Sequence, residues 1–130
     1  MRSGTFDGIR TAMAERAHRY ELIAESARAN PVQARAGYFI AGIFVMLGIL
    51  DALSTNWALE VGAFEVNGFM RFLQEKLGPL WFVPKIMLQA VVATMIVWSP
   101  NKPTIIIMEL TCCWTASVVT SNFLIASVLS

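Results

Sequence analysis

Three apolar runs organise the chain, and their few polar interruptions carry most of the information. The first covers about residues 37–59; from Tyr38 to Leu50 it has no charged or strongly polar side chain, and Asp51, Ser54, Thr55 and Asn56 then enter before it ends. The second covers about 80–99, with Lys85 and Gln89 as its strongly polar members and Trp81 and Trp98 near its ends. The third covers about 104–128, with Glu109 as its one charged residue. At ~1.5 Å per residue the first run makes a helix of roughly 34 Å, enough to cross a hydrocarbon core. Tryptophan at both ends of the second run fits the membrane interface. The pattern predicts an all-α integral membrane protein with three transmembrane helices, forming one domain over 31–130.

The segment before these runs has a different rhythm. Phe6, Ile9, Met13, Ala17, Tyr20, Ala24 and Ala27 recur at spacings of three and four, with arginine and glutamate between them. This predicts an amphipathic cytoplasmic helix over 1–30. Two placements stay open for it: on the anionic cytoplasmic leaflet, or docked on this protein's own loops or on a partner. Asn30-Pro31 ends it and can start the next helix, with Asn30 as N-cap, Pro31 at the first helical position and Gln33 completing a capping-box-like arrangement. A connector over 60–78 contains Glu60, Glu65, Asn67, Arg71, Glu75 and Lys76, with a short interfacial helix near Phe69–Leu77 and punctuation at Gly78-Pro79.

Composition agrees with lipid as the surrounding medium. Hydrophobic residues are 56% and charged residues 15% of the 130, against roughly 25% charged in soluble domains. The net charge of +1 gives no case for nucleic-acid binding. Arg2, Arg10, Arg16, Arg19, Arg28 and Arg35 precede the first run, and Lys102 lies in the turn between the second and third. Arg71 and Lys76 lie in the other connector. This asymmetry predicts a multi-pass protein of a prokaryotic cytoplasmic (inner) membrane, N-terminus cytoplasmic and C-terminus outside. No cleavable signal peptide is expected, the first run serving as an uncleaved signal anchor.

Ionisable groups inside the spans are expensive and usually paired. Counted from the outer ends of their runs, Asp51 lies roughly 12 Å deep and Lys85 roughly 8 Å deep, within reach of one another. Asp51 shares a stripe with Gly37, Ala41, Phe44, Gly48 and Thr55, and Lys85 with Trp81, Gln89 and Val92. The expectation is an intramembrane polar cluster of Asp51, Thr55, Lys85 and Gln89, near an outer loop carrying Glu60, Glu65 and Asn67. The pair either fixes helix register or takes part in a proton or substrate relay. Glu109, Ser117, Thr120 and Ser121 form a polar face on the third helix, with Cys113 on the same stripe, suited to interhelical hydrogen bonds. Glu109 either snorkels to a solvated position at the inner surface, the default, or meets a partner subunit. The adjacent Cys112 and Cys113 point about 100° apart on a helix and read as two small buried hydrophobes, not a disulfide. No metal or cofactor is expected: His18 is the only histidine and lies outside the spans, and no HExxH, GxSxG or P-loop occurs.

Asp51-Ala-Leu-Ser-Thr55, then Glu65-Val-Asn67-Gly68, then Lys85 resembles the domain-of-unknown-function 5658 family of small prokaryotic membrane proteins, over roughly residues 40–95. The family pattern has an Asp and a Thr late in one helix, a Glu-x-Asn-Pro loop and a Lys in the next helix. Here Gly68 stands where the family usually has proline. The resemblance implies a helical membrane fold with a polar cluster on the outer side, and implies no activity. Taken together, the sequence predicts a non-enzymatic accessory or structural subunit, its partners being the lipid bilayer and other membrane subunits or further copies of itself. The alternative is a small transporter or proton-coupled component using Asp51 and Lys85.

Overall fold

A computed structural model describes residues 3–63, 65 and 67–130, with side chains from residue 6 onward; Arg2 and Val66 lie outside the described residues. The chain is all-α, with no strand among the described residues. The helices are α1 (Ser3–Ala29), α2 (Pro31–Glu60), α3 (Gly68–Leu77), α4 (Phe82–Trp98) and α5 (Lys102–Leu129), with one 3₁₀ turn, Gly78–Leu80, between α3 and α4.

Three of the helix starts have the same local cause, an asparagine cap. Asn30 caps α2: its Oδ1 accepts from the Val32 and Gln33 amides at 3.0 and 3.4 Å, with Pro31 following. The capping box expected with Gln33 does not close. The Asn30 amide, which the Gln33 side chain would need, donates to Ala27 O at 3.3 Å and joins the end of α1 to the start of α2. Asn67 and Asn101 cap α3 and α5 in the same manner. Gly78 closes α3 at φ +53°, a conformation costly for residues with a side chain. The α3 segment and α4 then diverge by 105°.

α2 is the centre of the bundle and packs against both α4 and α5. Its residues Gly37, Ala41, Phe44, Gly48, Asp51, Thr55 and Ala58 alternate at four and three, and all are buried or half-buried. α5 answers with Met108, Cys112, Thr115, Val119, Asn122 and Ala126 at the same alternation. Small residues on both seams let the backbones approach closely. Cys112 is buried in this seam, whereas Cys113 is exposed, which corrects the reading of both cysteines as buried; adjacent helical residues cannot share one face.

The two ends of the bundle differ in character. At the end that joins α1, Ile40, Ala41, Phe44, Ile96, Met108 and Cys112 form an apolar core, with Ile43, Leu47, Val92, Ala93 and Val97 packed around it. The α4–α5 turn seals this end, its Pro100 fully buried against Gly37. The other end holds the polar side chains described below.

α2 and α5 are each long and apolar enough to cross a membrane, while α3 and α4 qualify only together, as a bent pair. The 17 residues of α4 fall short of the ~20 of an ordinary crossing. The chain thus has two or three candidate spans, where the hydrophobic pattern predicts three, and its apolar helices are compatible with a membrane protein.

Candidate functional site

Three helices bring three polar side chains to one point. Asp51 comes from α2, Lys85 from α4 and Asn122 from α5. The Lys85 ammonium donates to Asp51 Oδ2 in the one salt bridge among the described residues. The two side chains are only about one-sixth exposed, at 16% for Lys85 and 15% for Asp51. Water therefore screens the pair poorly, and each charge depends on the other.

Asn122 completes the cluster. Its Nδ2 lies 3.1 Å from Thr55 Oγ1, 3.4 Å from Ser54 Oγ and 3.5 Å from Asp51 Oδ1. Ser54 is fully buried, and its hydroxyl donates to the Asp51 carbonyl at 3.1 Å. One turn along α2, Asn56 Oδ1 accepts from the buried Trp81 indole at 3.0 Å. That bond orients Trp81 so that Lys85 Nζ sits 5.8 Å from its ring, a cation–π distance. Trp57 and Phe123 pack with ring centroids 5.7 Å apart and tie α2 to α5 beside the cluster.

A cavity of about 720 Å³ opens beside these groups, at the end of the bundle that carries the α2–α3 connector. Asp51, Thr55, Lys85, Asn122 and Trp114 line it from the helices, Trp81 from the residue before α4, and Glu65 and Asn67 from the connector. The Glu65 carboxylate accepts from the Asn67 amide at 2.9 Å, and Asn67 Oδ1 accepts from the Phe69 amide at 3.0 Å. The connector is thereby bonded locally and presents one carboxylate to the cavity. The volume is in the range of small-molecule sites, and a few polar groups converge on mostly apolar walls.

Not every polar residue singled out from the sequence joins this site. Glu60 is exposed and does not line the cavity. Gln89 lies nearer the apolar end of α4; its amide rests against Gly48, and its Oε1 has no hydrogen-bond partner. Glu109, Ser117, Thr120 and Ser121 are exposed on the side of α5 away from its buried seam. The Ser117 and Thr120 hydroxyls donate to carbonyls one turn back in their own helix, at 3.0 and 2.9 Å. Among the described residues no group of three or more His, Cys, Asp or Glu could hold a metal ion.

Asn122 is the member that the sequence reading missed. The signal lay in the alternation of Met108, Cys112, Thr115, Val119, Asn122 and Ala126, which outranks the polar stripe as a guide to the packed face. A hydroxyl can satisfy itself on its own helix, but an asparagine amide has two donors and is better served across helices. Replacing Asn122 with alanine should therefore destabilise the bundle by about 1 kcal/mol, while Thr120→Ala should leave it unchanged. Unfolding in mixed detergent micelles would measure the difference.

No curated protein and no solved structure matches the chain at a significant level. A family model does match, over residues 42–128, which takes in the Asp51–Lys85–Asn122 cluster, the cavity and both connectors between α2 and α5. The chain belongs to that family, described as a domain of unknown function (DUF5658).

Proposed function

We propose that this chain is a non-enzymatic subunit of a larger membrane assembly in a prokaryotic cytoplasmic membrane. α2, α4 and α5 cross the bilayer, the N-terminus is cytoplasmic and the C-terminus lies outside. The excess of arginine before α2, with Lys102 in the α4–α5 turn, supports that direction.

One observation carries the reading. Ser117, Thr120 and Ser121, with Glu109 two turns before them, lie on the exposed side of an apolar 28-residue helix, and none of the other described residues covers them. A carboxylate and three hydroxyls along a span are poorly matched to lipid and well matched to a neighbouring helix. Cys113 is exposed on the same face and offers a native reporter. In gentle detergent or native nanodiscs the chain should migrate in a complex larger than itself. A thiol-specific cross-linker should capture a neighbour through Cys113, and Glu109→Leu should weaken the complex. A functional monomer with Cys113 uncross-linked would overturn the proposal.

The cavity favours a second reading, a small transporter or proton-coupled component. It places a buried ion pair beside a space that could admit a small polar solute. Under this reading, flux in proteoliposomes disappears with Asp51→Asn, whereas a subunit of purely structural role gives no flux in either form.

A further inference from the structure

We propose that α1 lies on the anionic lipid surface beside the bundle, its apolar face against the acyl region and its bordering arginines on the headgroup phosphates. This rests on the membrane placement and cytoplasmic N-terminus given above.

The first observation is how α1 distributes its side chains. At 100° per residue, Phe6, Ile9, Met13, Ala17, Tyr20, Ala24 and Ala27 fall within an arc of about 80°. Arg10, Arg16 and Arg28 each stand about 60° from the middle of that arc, two on one side and one on the other, by the same geometry. Asp7, Glu15 and Glu25 lie about 120–160° away from it. Arg19 stands about 120° and Glu21 about 80° from the middle of the arc, so three of the four arginines of α1 but only one of its four carboxylates border the strip. Long cationic side chains beside an apolar strip can reach headgroups while the strip is buried.

The second observation fixes which way the strip faces. Its last two members, Ala24 and Ala27, are already buried, the only residues of α1 that are so among those whose side chains are described. Beside them Arg28 donates to the Trp98 carbonyl at the C-terminal end of α4, with its guanidinium 5.5 Å from the centre of the Trp98 ring. Trp98 is half exposed and ends an apolar helix, where an interfacial tryptophan belongs. The strip is therefore pressed onto the bundle at the level of the membrane interface. From Ala24 back to Phe6 the same face continues for roughly 27 Å past this contact. There Phe6, Met13 and Tyr20 are 70%, 66% and 67% exposed. What adjoins a bundle at that level is lipid, and an interface already made by the chain continues straight onto it.

The full-length protein, with Cys112→Ala and Cys113→Ala as background, would carry single spin labels at Ile9→Cys, Met13→Cys or Ala17→Cys, and at Asp7→Cys, Glu15→Cys or Glu25→Cys. In nanodiscs containing phosphatidylglycerol, the first set should favour oxygen over a water-soluble nickel complex and the second the reverse, giving a periodic accessibility pattern. Arg10→Glu with Arg16→Glu should shift the docked-to-free ratio by about fivefold or more per arginine. Phosphatidylcholine alone should weaken the pattern likewise. Uniform water exposure in anionic nanodiscs would overturn the proposal and mark α1 as a surface awaiting a protein. A pattern unchanged by lipid charge or by arginine reversal would overturn the role given to the arginines. Release of the chain from bilayers by alkaline carbonate would instead refute the membrane placement, and this inference with it.

Discussion

Replacing Lys85 with methionine is expected to cost about 3–5 kcal/mol of stability, enough to deplete the folded protein. The loss comes from the Asp51 carboxylate, which loses its charge partner in a poorly exposed position and retains only the Asn122 amide at 3.5 Å. Asp51→Asn should show a penalty of similar origin, now with the Lys85 ammonium stranded. The double variant Asp51→Asn/Lys85→Met leaves no buried charge and should recover most of what either single change loses. Unfolding of all four forms in the same micelles closes a double-mutant cycle. Additive effects, with the double variant as unstable as the two singles summed, would show that the pair is not what holds α2 to α4.

Gly37→Val should be the next most damaging change, at about 1–3 kcal/mol. A Cβ at Gly37 would sit 2.6 Å from Cβ of Pro100 and 3.5 Å from the Ile96 carbonyl. Proline in a tight turn cannot swing aside, so the α4–α5 turn must lift off α2. Gly42→Val is the control: it makes the same chemical change on the same helix, with nothing within 4 Å of the new Cβ. It should be neutral or slightly stabilising, because valine suits a helix better than glycine. Gly48→Ala is intermediate in kind, since the atoms it meets are the mobile end of the Gln89 side chain. Thermal unfolding of the variants should rank them Gly37→Val well below Gly48→Ala, and Gly42→Val at or above the parent.

Much of this was legible from residue types and their spacing. Asn30-Pro31 marks a break and a cap because both effects are local to three or four residues, and the structure has both. Asp51 and Lys85 could be matched by counting helical rise from the ends of their runs, because depth in a bilayer is nearly a one-dimensional coordinate. The stripe from Gly37 to Thr55 likewise emerged from its small residues. The rotation of α5 was not legible, because it offers two competing stripes. Glu109, Ser117 and Thr120 suggest a face for interhelical hydrogen bonds, but within this chain they lie on the exposed side of α5, and the Ser117 and Thr120 hydroxyls donate to carbonyls of their own helix. The bend of 105° between the α3 segment and α4 was equally hidden: Gly78-Pro79 announces an interruption, and only packing sets its angle. The cavity depends on that bend and on Asn122, so its existence required the fold.

The contrast between the two ends of the bundle has an electrical consequence. At one end Ile40, Phe44, Ile96 and Met108 form a hydrocarbon plug, and at the other the hollow opens beside the α2–α3 connector, past Glu65 and Asn67. If the bundle crosses an energised bilayer as proposed above, water entering the mouth of the hollow would compress the voltage drop toward the plugged portion, where the field steepens. A fixed charge exchanged at Trp114 or Asn122 would sense little of it, whereas one introduced at Phe44 would sense most, at up to ~2.3 kcal/mol per 100 mV.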